Sequence, residues 1–340
     1  MLAAFLLAGA LATWTPQPSG STSELRGLSV LDAKHAWASG SGGTVLRTKD
    51  GEHWETLKVP GGEALDFRDI EALDEHTVVL MSAGPGDASR IYRSTDAGNT
   101  WKLVHTNPDK DGFYDAIAFW DAQNGVVVGD PVNHLFVVRT THDGGQTWEK
   151  PEGLVLPQMF TGEGAFAASG TCLTVVKGSQ YAWFVTGGAR VSRVFRTNNR
   201  GHAWNSSTNP IPAGNASSGL FSVAFLDDKR GFVAGGDYKQ PQFAGLNGAR
   251  TEDGGKTWIP APISATGFMS AVVAIPGTTN DLVAAGLAGE AISHDAGRTW
   301  TRAGDVPVNA IGFADARTGW AVGPKGTILR YAASTAAPAH

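Results

Sequence analysis

The chain has 340 residues, with 27 basic and 32 acidic side chains and a pI near 6.0, a balance that leaves no electrostatic footprint for nucleic acid. Its 44 glycines, 11 tryptophans and short apolar runs suit an all-β repeat protein and exclude one built on long helices. Cys172 is the single cysteine, which rules out an internal disulfide and a cysteine-based metal site.

Residues 1–12 read as the apolar core of a signal peptide, with Ala10-Leu11-Ala12 in the small-x-small form of a cleavage site. The run is too short to cross a bilayer, which takes about 20 apolar residues. The expected product is an exported, soluble protein, periplasmic or extracellular. Thr13-Trp14-Thr15-Pro16 follows, and it matches the closing half of a motif that recurs down the chain.

That motif is complete in Ser94 to Trp101, Thr141 to Trp148, Thr251 to Trp258 and Ser293 to Trp300. It is altered from Thr197 to Trp204, where Asn199 replaces the aspartate, and is one residue short from Thr48 to Trp54. Asp or Asn before Gly is turn chemistry, and the preceding Ser or Thr adds a hydroxyl to the same local network. An apolar run leads in and Thr-Trp leads out, which describes a β-hairpin with a self-bonded turn. Trp14, Trp54, Trp101, Trp148, Trp204, Trp258 and Trp300 are separated by 40, 47, 47, 56, 54 and 42 residues, the period of four-stranded propeller blades.

Each unit opens on an inner strand ending in a turn, as in Ile117-Ala118-Phe119-Trp120-Asp121 and Ile311-Gly312-Phe313-Ala314-Asp315. A second strand follows, and a third ends in the repeated arginines Arg47, Arg93, Arg139, Arg196 and Arg250. An arginine recurring at one position in every unit reads as structural. The last unit, from Val308 to Tyr331, supplies three strands and stops; Thr13-Trp14 supplies the fourth. The fold expected is all-β, a seven-bladed β-propeller of four-stranded blades closed by pairing of the N-terminal strand with the C-terminal blade. Residues 13–332 form this one domain, and 333–340 are a disordered tail.

One face of such a ring is made by the loops between second and third strands and by the links between blades. These are long in units two to five, notably Gly129 to Asn133, Glu152 to Gly164 and Gly235 to Gly248. Long loops on a rigid scaffold are where recognition sits. The candidate binding residues at that mouth are Arg68, Asp69, Asp115, Asp130, Glu163, Arg190, Ser218, Asp237 and Tyr238, with Glu290 also placed to reach it. Solvation of a channel rim explains the same residues equally well. No cofactor is implied, and the scattered histidines give no metal site.

The turn motif resembles the Asp-box, or BNR, repeat of sialidases and related propellers. The resemblance implies that Asp50, Asp96, Asp143, Asn199, Asp253 and Asp295 are structural fasteners away from the functional face. A closer resemblance, covering nearly the whole chain, is to the Ycf48/Hcf136 family. Gly319-Trp320-Ala321-Val322-Gly323 running to Gly326-Thr327-Ile328-Leu329-Arg330 carries it, as does Ala36-Trp37-Ala38-Ser39-Gly40 running to Val45-Leu46-Arg47-Thr48. It implies a non-catalytic, exported assembly factor for photosystem II, with a protein partner belonging to a membrane complex. The alternative is a sialidase-like or other Asp-box glycosidase acting on carbohydrate at the same mouth. Asp69, Asp115 or Glu163 would then supply acids and Tyr238 a nucleophile, with Arg68 and Arg190 clasping a carboxylate. Against this, the chain reads Phe67-Arg68-Asp69-Ile70 where sialidases carry Arg-Ile-Pro, and seven units exceed their six blades.

Overall fold

The structure is a computed structural model that describes residues 13–263 and 267–332; the leader and tail expected at 1–12 and 333–340 lie outside them. Seven antiparallel sheets stand round an axis. Blade 1 runs Leu25–Val30, Ala36–Gly40, Thr44–Thr48 and Glu55–Leu57 from the axis outward. Each first strand touches the first strand of the next blade, and that of blade 7 (Ala310–Phe313) touches blade 1. The core is therefore a set of apolar clusters between blades, such as Trp37, Val45, Phe67, Val78 and Tyr92 between blades 1 and 2.

Ring closure follows the expected route. Thr13–Gln17 pairs antiparallel with Ile328–Ala332, with Trp14 opposite Tyr331 and Gln17 opposite Ile328. The Trp14 ring lies 5.2 Å from that of Tyr331 and 6.0 Å from that of Phe313, so the first strand buries an aromatic against the last blade. Gln17 acts as a rivet: its Oε1 accepts the indole N–H groups of Trp54 (2.9 Å) and Trp320 (3.0 Å), and its Nε2 donates to the Gly51 carbonyl.

The box turns are self-contained. Asp96 Oδ1 accepts from the Ser94 hydroxyl and the Thr100 amide, while Oδ2 accepts from the Thr100 hydroxyl at 2.6 Å. Asp143, Asp253 and Asp295 repeat the pattern. Asn199 keeps the half its amide oxygen can make, and Asp50 in the shortened box takes the Glu52 and His53 amides. The third-strand arginines tie neighbouring blades: Arg93 Nε donates to Gly144 O at 2.8 Å, and Arg47 reaches Ala97 O and Asn99.

Two blades depart from the regular pattern. In blade 3 the fourth strand shrinks to a single bridge, Thr140 to Glu149. Pro151 offers no amide to a ladder, and the chain leaves to pack Leu154, Leu156 and Met159 on the core. In the same blade the expected loop from Gly129 is a continuing hairpin: the ladder runs to Val132 opposite Leu135, turning at Asn133 and His134, both at positive φ. In blade 4 the inner strand is only Leu173–Val175, three residues long. Residues 165–171 instead cross the axis. Gly170, at φ +75°, permits this because a Cβ there would sit 2.3 Å from Asp69 Oδ1.

Truncating Trp14 to alanine is expected to lower the unfolding free energy by about 2–3 kcal/mol. Guanidinium titration followed by tryptophan fluorescence measures this, and an unchanged midpoint would mean the clasp does not hold the ring.

Candidate functional site

The mouth is shaped by a repeated irregularity. The first strands of blades 1, 2, 3 and 5 each shift register near the start, between Leu25 and Gly27, Phe67 and Asp69, Tyr114 and Ala116, and Leu220 and Ser222. A bulge inserts one unpaired residue and re-aims its side chain. The residues so inserted are Arg26, Arg68, Asp115 and Phe221, and all four line the mouth.

The axial segment completes the floor. Arg26 Nη1 donates to Ala168 O (3.3 Å) and Arg68 Nη1 to Ala167 O (3.0 Å), from blades 1 and 2. On the far side the Phe166 ring stacks on Phe221 at 4.0 Å, and the Ser169 hydroxyl donates to Ser270 O of the link into blade 6. Two cavities meet over this segment. One, about 370 Å³, holds Arg26 and Arg68 against an aromatic wall of Phe166, Phe221, Tyr238 and Phe268. The other, about 520 Å³, lies towards blades 3 and 4 and is lined by Asp115, Asp130, Phe113 and Met159. Burial lowers the Arg26 pKa, with the nearby Arg68 charge adding to the effect.

The residues expected at the mouth divide by surroundings. Arg68 is paired with Asp66 at 2.8 Å. Asp69 is buried beneath the floor, its oxygens accepting the amides of Ile70 (2.9 Å) and Ile117 (2.8 Å) across two blades. Burial holds its pKa well above the ordinary carboxylate range, with Glu71 adding to the shift. Glu163 is locked in a buried ion pair: Arg193 Nε donates to it at 2.8 Å, and the Thr186 hydroxyl and Phe160 amide take further lone pairs. The Arg193 guanidinium lies over the rings of Phe160 and Phe195. Glu163 thus anchors the long linker and is not placed beside Tyr238, which lines the other cavity. Ser218 and Asp237 sit under the loop after blade 5's second strand, where Asp237 accepts from Asn215 and the Lys239 amide. Arg190 is exposed in blade 4's turn. Glu290 does not line the mouth cavities. It is buried in blade 6, and among the described residues neither oxygen makes a hydrogen bond of regular geometry, the Trp14 indole giving only a weaker contact. Burial pushes its pKa up to about 7, with the Trp14 indole opposing.

Sequence reasoning missed Arg26, Phe166, Phe221 and Phe268. The available signal was the break in alternation at Leu25-Arg26-Gly27 and Leu220-Phe221-Ser222, which marks a bulge.

Comparisons with known proteins bear on the repeat and the fold. The BNR/Asp-box repeat profile matches residues 139–150. The chain is 24% identical over 282 residues to the photosystem II stability/assembly factor HCF136 of Arabidopsis thaliana, covering 66% of each chain; it thus spans slightly under two thirds of that relative. A structure of YCF48 bound to a D1 peptide superposes with a TM-score of 0.68 at 19% identity, over 97% of this chain and 100% of that one. YCF48 from Cyanidioschyzon merolae gives 0.67 at 17%, over 94% and 99%. A GH74 xyloglucanase from Xanthomonas campestris gives 0.63 at 16%, over 96% of this chain and 55% of that one. Fold and repeat together define an Asp-box β-propeller. Within that class the chain is a seven-bladed propeller similar to HCF136 and to the YCF48 structures.

Removing one partner of a buried ion pair leaves the other uncompensated, so Arg193→Ala should cost about 3–5 kcal/mol. It should also open residues 152–162 to limited proteolysis, read by mass spectrometry of the nicked product. A raised carboxyl pKa stabilises the fold below the unfolded-state value, and that benefit is lost as pH rises through about 7. Wild type should therefore lose about 2–3 kcal/mol relative to Glu290→Gln between pH 5 and pH 9. Paired urea titrations at the two pH values test this.

Proposed function

We propose that the protein is an exported, non-catalytic scaffold that holds an extended segment of a partner protein across its mouth, as an assembly factor for a membrane complex. The observation that carries this reading is the ring of bulge-aimed residues over a closed floor. Two guanidiniums face an aromatic wall across an open cavity of about 370 Å³, a surface suited to backbone carbonyls, acidic groups and apolar side chains. The likeness to HCF136 and to YCF48 with its D1 peptide supports a protein partner of the photosystem II kind. The leader-like residues 1–12 support export. Arg68, Asp115, Asp130, Tyr238 and Arg190 fall on or near this face, while Asp69 and Glu163 hold its frame.

A second reading, a glycosidase at the same mouth, draws on Asp115 and Asp130, which interact electrostatically at one edge. Asp69 and Glu163 have their oxygens committed to amides and to Arg193.

The test is binding of an array of overlapping twelve-residue peptides from the exported loops and tails of membrane proteins of the same organism. Micromolar binders are expected, weakened at least tenfold by Phe221→Ala and by Arg26→Ala, and unaffected by Lys256→Ala on the box face. Absence of any binder, or release of reducing sugar from polysaccharides that Asp115→Asn abolishes, would overturn the scaffold reading.

A further inference from the structure

We propose that the part of the mouth between blades 3 and 4 takes a basic side chain, lysine or arginine, of the bound segment, with Asp115 and Asp130 as its counter-charges. This deepens the scaffold reading and rests on it.

The cavity of about 520 Å³ at this edge is lined by the acids Asp111, Asp115, Asp130 and Glu163 and by one arginine, Arg68. Glu163 is neutralised by Arg193, and Arg68 is already held by Asp66. Asp115 and Asp130 have no such partner among the described residues. Asp115 is 1% exposed, and its Oδ2 is buried without a hydrogen bond. Asp130 Oδ1 accepts the Ala165 amide at 3.0 Å. A buried carboxylate without an ion-pair partner is costly, and a cation entering this cavity would reduce that cost beyond what the more distant Arg68 charge does.

The walls favour a cation carried on an aliphatic stem. Phe113, Pro131, Met159 and Phe166 line the way in, which suits the methylenes of lysine or arginine. A bare divalent ion fits less well, since calcium takes 6–8 oxygen ligands. Among the described residues the three-ligand grouping is Asp32, His35 and Glu75, in the turns of the box face, so the mouth acids do not converge on one point.

Protons compete for the same pair. Burial pushes the Asp130 pKa up to about 6. Burial also raises that of Asp115, with the Asp130 charge adding and Arg68 opposing. The other charged groups lining the cavity are Asp111, with Glu163 neutralised by Arg193. A bound cation draws both carboxyls to the ionised form, so affinity falls as pH drops through about 6.

The experiment uses the full chain and four capped hexapeptides, acetyl-Phe-Ala-X-Ala-Phe-Ala-amide, with X lysine, arginine, norleucine or glutamate, measured by calorimetry. Lysine and arginine peptides should bind at least tenfold tighter than norleucine. The preference should vanish in Asp130→Asn, checked for an unchanged melting transition, and likewise in Asp115→Asn. Binding should weaken about tenfold from pH 7.5 to pH 5. Equal binding of the norleucine or glutamate peptide overturns this proposal and leaves the scaffold standing. Stoichiometric uptake of calcium or magnesium lost in Asp130→Asn also overturns it. Failure of all four peptides to bind while the twelve-residue array yields binders overturns this proposal alone, and failure in both assays overturns both.

Discussion

The ring depends on the pairing of Thr13–Gln17 with Ile328–Ala332. Without it blade 7 ends in an unpaired strand, the edge that propellers must hide. Backbone bonds set the register, but two side chains fix it in place. Trp14 packs into the cluster between blades 6 and 7, and Gln17 holds the indoles of Trp54 and Trp320 from blades 1 and 7. Because the apolar clusters lie between blades, each sheet buries apolar surface against both neighbours. Closing the ring gives every blade two neighbours.

On that scaffold the mouth is an exercise in exceptions. A regular inner strand would send alternate residues into the blade interfaces. One inserted residue in each of four strands turns a side chain towards the axis without disturbing the packing below it. The axial segment 165–171 then draws opposite sides together, taking arginines from blades 1 and 2 and giving Phe166 to blade 5. Buried Asp69 braces the same centre by joining the amides of two inner strands. Residues that line the mouth and residues that brace it are neighbours in sequence but differ in what they touch.

This division explains what the sequence disclosed. The boxes, tryptophan spacing and clasp were legible because each is local chemistry repeated at a period. Asp115 and Arg68 could be named as mouth residues because polar groups interrupt an apolar run. Phe221 was not, since an inserted aromatic looks like ordinary strand, and Arg26 was missed although it breaks the apolar pattern at Leu25-Arg26-Gly27. Glu163 looked like a free acid because its partner Arg193 lies 30 positions away, a distance at which pairing leaves no sequence mark. The shortened outer edge of blade 3 was hidden too, because Thr147-Trp148 completes a normal box before Pro151 diverts the chain.

The box turns carry an implication for ancestry. Each carboxylate closes on hydroxyls and amides no more than four positions away. The turn of such a hairpin is specified by its own few residues, and neighbouring arginines add to it from outside. Gene duplication can therefore copy it whole, and a copy that loses its acid, as at Asn199, still folds within a tolerant ring. Lineages built from such modules are free to vary the number of copies, provided the two ends can still meet.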